Sequence, residues 1–137
     1  MIEAGRRSAI MLMNIDALRK YCATLPGTTR DIKWGADEVY SVGAKMFAAF
    51  GLEKGKAANV GFKCDPERFL ELTDQPGIVP APYLARAHWV LVQDAKSLTD
   101  AAARELVEHS RALVFAKLTK KEQALIAAQA PSPWRKR

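Results

Sequence analysis

The sequence predicts an α+β domain in which an antiparallel β-sheet carries its helices on one face. Two observations predict it. Short β-branched or aromatic runs follow one another through tight, glycine-bearing connections, the pattern of an antiparallel meander. Segments with helical spacing stand before and after that run, not between successive strands, which argues against a doubly wound parallel sheet. The chain has 137 residues, 49% apolar and 26% charged. A chain of this size buries roughly two-thirds of its unfolded surface. Those numbers exclude wholesale disorder, collagen-like repeats and a multidomain enzyme.

Asn14 is a good helix N-cap, and Ile15, Leu18, Cys22 and Leu25 recur at helical spacing until Pro26-Gly27 stops them. Thr28–Gly35 is a short polar stretch carrying Trp34 near its end, expected as an edge strand. Asp37–Val42 and Lys45–Phe50 read as strands around a Gly43-Ala44 turn. Gly51–Lys56 is expected as a loop, and Ala58–Cys64 as the next strand. Asp65-Pro66-Glu67 opens a helix with an acceptor cap and a proline; Phe69, Leu70 and Leu72-Thr73 are its expected buried face. Residues 76–87 hold three prolines and read as an ordered loop crossing an edge. His88–Gln93 is a further strand. Ser97 with Asp100 resembles a capping box ahead of a long helix from about Leu98 to Lys117. Its stripe is Ala103, Leu106, Val107, Ser110, Leu113, Val114 and Leu118. Phe115 lies off that stripe, against Leu125-Ile126 or a partner surface, and Lys120–Ala128 adds a further helical turn or two. The domain is thus expected over residues 13–121. Residues 1–12 form a frayed extension, with Met13 as an alternative start, and 122–137 form a helical extension and a mobile basic tail, Ala130–Arg137.

Lys and Arg number 21 against 15 Asp and Glu, a formal charge of +6. Cys22 and Cys64 belong to no Cys-x-x-Cys or zinc-spaced cluster. They read as two reduced, buried thiols of a cytoplasmic protein, with one disulfide as the alternative. The apolar run Ala9–Met13 is too short for a signal peptide, since Asn14 and Asp16 interrupt it. No segment has the length to span a bilayer. No phosphate-binding glycine loop or dinucleotide fingerprint occurs. His88 and His109 have no Asp or Ser at a spacing that marks a triad, and no cofactor is expected.

Several blocks together resemble the MmcQ/YjbR proteins: Met13-Asn14-Ile15, Leu25-Pro26-Gly27-Thr28, Gly43–Ala48, Phe62–Glu67, Pro76-Gly77-Ile78, Pro80–Leu84, His88-Trp89-Val90, and Ser110 with Leu113-Val114 and Lys117-Leu118. They cover roughly residues 13–121. The resemblance implies a fold like the bacterial frataxin homologue CyaY and a non-enzymatic, double-wing DNA-binding role. Two departures stand out: Arg111-Ala112 follow Ser110 where relatives often carry an aromatic, and Thr119 stands where they often have proline. The frataxin likeness also raises iron, which the residues argue against. The first helix offers Asp16 alone, beside Arg19 and Lys20, and hard cations need clustered oxygen ligands.

The candidate DNA contacts are Lys45, Lys54, Lys56 and Lys63, opposed between Gly43 and Cys64 by Glu53 alone, together with Arg86. Lysines on a β-hairpin can follow a phosphate backbone, each neutralising one phosphate. The competing reading is that edge-strand lysines prevent sheet-to-sheet association. Lys117, Lys120, Lys121, Arg135, Lys136 and Arg137 form a second basic group that either extends this footprint or complements a helix C-terminus. Tyr83, Trp89 and Arg111 form a candidate interaction surface; against it, Trp89 reads as core and Tyr83 as a pin for the proline-rich loop. The functional expectation is a phosphate-backbone binder, monomeric or weakly dimeric and off the membrane. The alternative is a protein-interaction or small-ligand module.

Overall fold

The computed structural model describes residues 12–129. The expected N-terminal extension and mobile tail lie outside that range, apart from Leu12, which bridges to Thr99. The elements run α1 (Ile15–Cys22), β1 (Thr28–Lys33), β2 (Asp37–Val42), β3 (Lys45–Glu53), β4 (Lys56–Lys63), α2 (Pro66–Thr73), β5 (Ile78–Pro80), β6 (Trp89–Val92), α3 (Asp100–Ala116) and α4 (Lys120–Gln129). All six strands form one sheet in the order β1-β2-β3-β4-β6-β5, every neighbouring pair antiparallel. The α+β class and the helices on one face are as the sequence predicts.

Successive strand residues point to opposite faces, and here the two faces differ in size. Toward the helices stand Phe50, Val60, Phe62, Val90 and Val92, all fully buried. They meet Leu18 and Cys22 of α1, Leu72 of α2, and Ala103, Leu106, Val107 and Val114 of α3. Away from the helices stand Ala49, Gly51, Gly61 and Leu91, mostly small. A bulge in β3 makes room for Phe47 on the helix side between the Tyr40–Ala48 and Ser41–Met46 pairs. Ser110 of α3 ties that bulge down: its hydroxyl donates to the Phe47 carbonyl at 2.7 Å and accepts from the Lys63 amide at 3.0 Å.

Both central hairpins close through two-residue turns with positive φ at each position: Gly43-Ala44 (59° and 66°) and Lys54-Gly55 (53° and 81°). That is the type I′ geometry whose twist matches the strands. The expected loop at Gly51–Lys56 is therefore strand almost throughout, because Asn59 Oδ1 accepts the Gly51 amide across the ladder at 3.1 Å.

Other expectations are corrected. Residues 76–87 contain an edge strand, β5; Pro80 ends it on the sheet's outer margin, where a missing donor is tolerated. Thr99, not Ser97, caps α3 by accepting the Ala102 amide, while the Ser97 hydroxyl donates to the Pro76 carbonyl. Asp65 makes no side-chain cap to α2; its carboxylate pairs with His109 at 2.8 Å. Leu70 faces outward, 76% exposed. Leu125 is also largely exposed, and the α4 contact to the core is Ile126, packed near Gly27 and Gly43. Lys120–Gln129 is a separate helix beyond Thr119, with Thr119 and Glu122 exchanging hydrogen bonds at its start.

Candidate functional site

A groove of about 670 Å³ lies on the sheet face that the helices leave uncovered. Its floor is Ala49 and Gly51 of β3 with Asn59 and Gly61 of β4. Trp34 and Asp37 close one end, and Met46, Trp89 and the segment Ala81–Leu84 close the other. The small floor makes the depression: a Cβ on Gly61 would sit 3.7 Å from the Trp89 ring, and one on Gly51 would meet the Asn59 amide at 2.7 Å. Among the lining residues Asp37 is the charged one. The volume falls in the range of small-ligand sites.

The two exposed aromatics at the rims are held in costly backbone. Trp34 (φ 51°, 67% exposed) and Tyr83 (φ 66°, fully exposed) both occupy the left-handed region. A residue with a Cβ costs roughly 1–2 kcal/mol there, which is why glycine or asparagine is usual. Exposing a large aromatic as well gains the fold nothing. Trp89 differs: it is buried beneath the 81–88 loop, its amide donating to the Leu84 carbonyl and its carbonyl accepting from Ala81. The expected pinning role of Tyr83 is corrected by its full exposure; the loop is pinned instead by Trp89 and by Lys63, whose ammonium donates to the Ala87 carbonyl at 2.6 Å.

The cationic candidates are not gathered together. Lys45 opens β3 and Lys54 follows its end, so at about 3.3 Å per residue they stand about 30 Å apart. Lys54 and Lys56 flank the exposed β3–β4 tip, with Lys56 opposite Glu53. Lys63 and Arg86 lie at the Tyr83 end of the groove, Lys63 partly buried and Arg86 exposed in a short 3₁₀ turn, Ala85–Ala87. Arg111 is on the helix side, apart from Tyr83 and Trp89. It donates twice to the Pro26 carbonyl and lies over the Phe115 ring, and burial holds its pKa below the ordinary value. Five of the 21 basic residues and one of the 15 acidic ones fall outside 12–129. The described domain therefore carries 16 against 14, and most of the chain's positive excess sits in its terminal segments.

A second charged group is internal. Glu38 of β2, 2% exposed, accepts from Arg19 of α1 at 2.6 Å, from Tyr40 at 2.6 Å and from Arg30 of β1. Burial alone would raise its pKa; bonds from Tyr40, Arg30 and Arg19 outweigh that and hold it at about 2. Arg19 also pairs with Asp16, whose other bond, from the Ala57 amide, joins α1 to β4. Cys22 and Cys64 are free and buried, and burial pushes the Cys22 thiol up to about 12. Among the described residues no group of three or more His, Cys, Asp or Glu is placed to hold a metal, and no helix is long and apolar enough to cross a membrane.

The YjbR family profile matches residues 23–113. This chain belongs to the YjbR family. The YjbR domain is 30% identical over 88 residues to the uncharacterized protein YbdF of Escherichia coli O157:H7, covering 63% of this chain and 70% of that one. Its fold is similar to that of protein DR2400 of Deinococcus radiodurans, described as a DUF419 domain. That match has a TM-score of 0.71 and 27% identity, over 89% of this chain and 91% of the other. A protein from Pseudomonas syringae shares the fold with a TM-score of 0.60 at 24% identity, over 74% of this chain and 99% of that one.

Proposed function

We propose that this YjbR domain is a non-enzymatic protein-interaction module whose ligand is a short, extended, apolar peptide segment laid along the uncovered sheet face. The observation that carries the reading is the pair Trp34 and Tyr83, two exposed aromatics kept in left-handed backbone at the two ends of an aromatic-lined groove. Strained positions persist where they are used. Aromatic-lined grooves take proline-rich segments because these are already extended and lose little entropy on docking. The charged lining residue is an acid, Asp37, which disfavours a phosphate in the groove and favours a neutral or basic peptide. Two free, buried cysteines fit a reducing, cytoplasmic setting. The test is calorimetric titration of the full chain with decaproline. Saturable binding at millimolar or tighter affinity, lost in Trp34→Gly and Tyr83→Gly, is expected; unchanged binding in both variants, or none in the wild type, refutes the reading.

A second reading, contact with a duplex phosphate backbone as a wing, rests on the exposed Lys54-Gly55-Lys56 tip. It expects binding at about 10⁻⁴ to 10⁻⁶ M with a steep negative salt slope. Fluorescence anisotropy with duplex DNA checks it, and equal binding by the Lys54→Glu/Lys56→Glu double variant rejects it.

A further inference from the structure

We infer that the groove is the docking site of this chain's own C-terminal segment, Ala130-Pro131-Ser132-Pro133-Trp134-Arg135-Lys136-Arg137, folded back within the same molecule. The inference rests on the peptide-groove reading above and names its occupant. Two observations carry it.

The first is chemical. The segment places two prolines and a tryptophan before three consecutive cations. The groove offers Trp89, Tyr83 and Met46 at one end and Trp34 with Asp37 at the other. Asp31 stands on the same face of the neighbouring strand, opposite Val39, and Lys33 stands opposite Asp37.

The second is reach. Ile126 of α4 packs against the Gly43 turn, with its Cδ1 3.3 Å from where a Gly43 Cβ would lie. Met46, at the near end of the groove, is three residues along from Gly43. From Met46 to Gly51, which pairs with Asp37, is five more. At about 3.3 Å per residue the path from turn to acid is about 26 Å. Eight residues in polyproline geometry span about 25 Å.

The experiment compares the full chain with its Pro133→Ala/Trp134→Ala variant by ¹H–¹⁵N correlation spectra. Docking predicts that the Gly51, Asn59 and Gly61 amides and the Trp34 indole shift in the variant, independently of protein concentration, while α1 amides do not. The variant binds decaproline at least threefold more tightly, since the competitor is gone. A synthetic octapeptide of residues 130–137 added to the variant moves the same resonances back. Tyr83→Gly in that background weakens the octapeptide at least tenfold, and Asp37→Asn weakens it by about threefold. If groove resonances are identical in chain and variant while decaproline still binds, docking of this segment is overturned and the peptide reading stands. If the shifts depend on protein concentration, the segment occupies a second copy and the intramolecular claim is overturned. If neither decaproline nor octapeptide perturbs the groove, both fall.

Discussion

Glu38 offers the sharpest quantitative prediction. Its carboxylate is held at about 2 in the fold against an ordinary value of 4.5. At about 1.4 kcal/mol per pH unit, that gap corresponds to about 3 kcal/mol of stability from this group. Because the folded value is the lower one, the unfolded chain binds the extra proton. The contribution is fully present above about pH 5 and disappears as pH falls from 4.5 toward 2. Glu38→Gln removes the charge and leaves Arg19 with Asp16 alone and Arg30 without this partner. Arg30 is 58% exposed and regains water, so the loss belongs at the lower end of the 3–5 kcal/mol expected for breaking a buried pair. Guanidinium denaturation of wild type and Glu38→Gln at pH 7, 4.5 and 2.5 is the assay. The expected difference is about 3 kcal/mol at pH 7, shrinking toward zero at the lowest pH. A difference that stays constant with pH refutes the reasoning, because a purely steric defect carries no proton linkage.

Trp34→Gly and Tyr83→Gly relieve left-handed strain at exposed sites. Each is expected to leave stability unchanged or to raise it by up to about 1 kcal/mol, after the greater freedom of glycine in the unfolded chain is allowed for; thermal unfolding reads this, and a loss above about 1 kcal/mol assigns these residues a structural role. Ser110→Ala leaves the Lys63 amide and Phe47 carbonyl without their partner and is expected to destabilise by about 1–3 kcal/mol in urea denaturation. Cys22, buried with its thiol raised to about 12, is expected to react with a thiol reagent at pH 8 only as fast as the protein opens; a fast native reaction assignable to Cys22 contradicts its burial.

Much of the fold was legible because its signals are local. Ile15, Leu18 and Cys22 give α1 by spacing, and Gly43-Ala44 marks a hairpin by composition. The prolines at 76, 80 and 82 masked β5, since a three-residue edge strand ending in proline has no period to read. The site was legible in part. Tyr83 and Trp89 were visible as a candidate surface, but Trp34 was placed only in an expected edge strand, because nothing local shows that its turn holds it outward. The groove itself arises from Ala49, Gly51 and Gly61, small residues on one face of adjacent strands; alternation in β3 and β4 carries that signal, and it points to a sheet face without a helix over it. The lysines misled through proximity in sequence: Lys45 and Lys54 share a strand region yet stand at opposite ends of it. Nothing local in the Asp37–Val42 strand marks Glu38, since its partners Arg19 and Arg30 come from other elements.

The central claim is that the uncovered sheet face is a peptide site. Residue-resolved chemical-shift mapping of the full chain with decaproline tests it most directly. Shifts concentrated on Ala49, Gly51, Asn59, Gly61 and the Trp34 and Trp89 indoles are the predicted result. Shifts confined to the helix face, or to the Lys54–Lys56 tip, would contradict it.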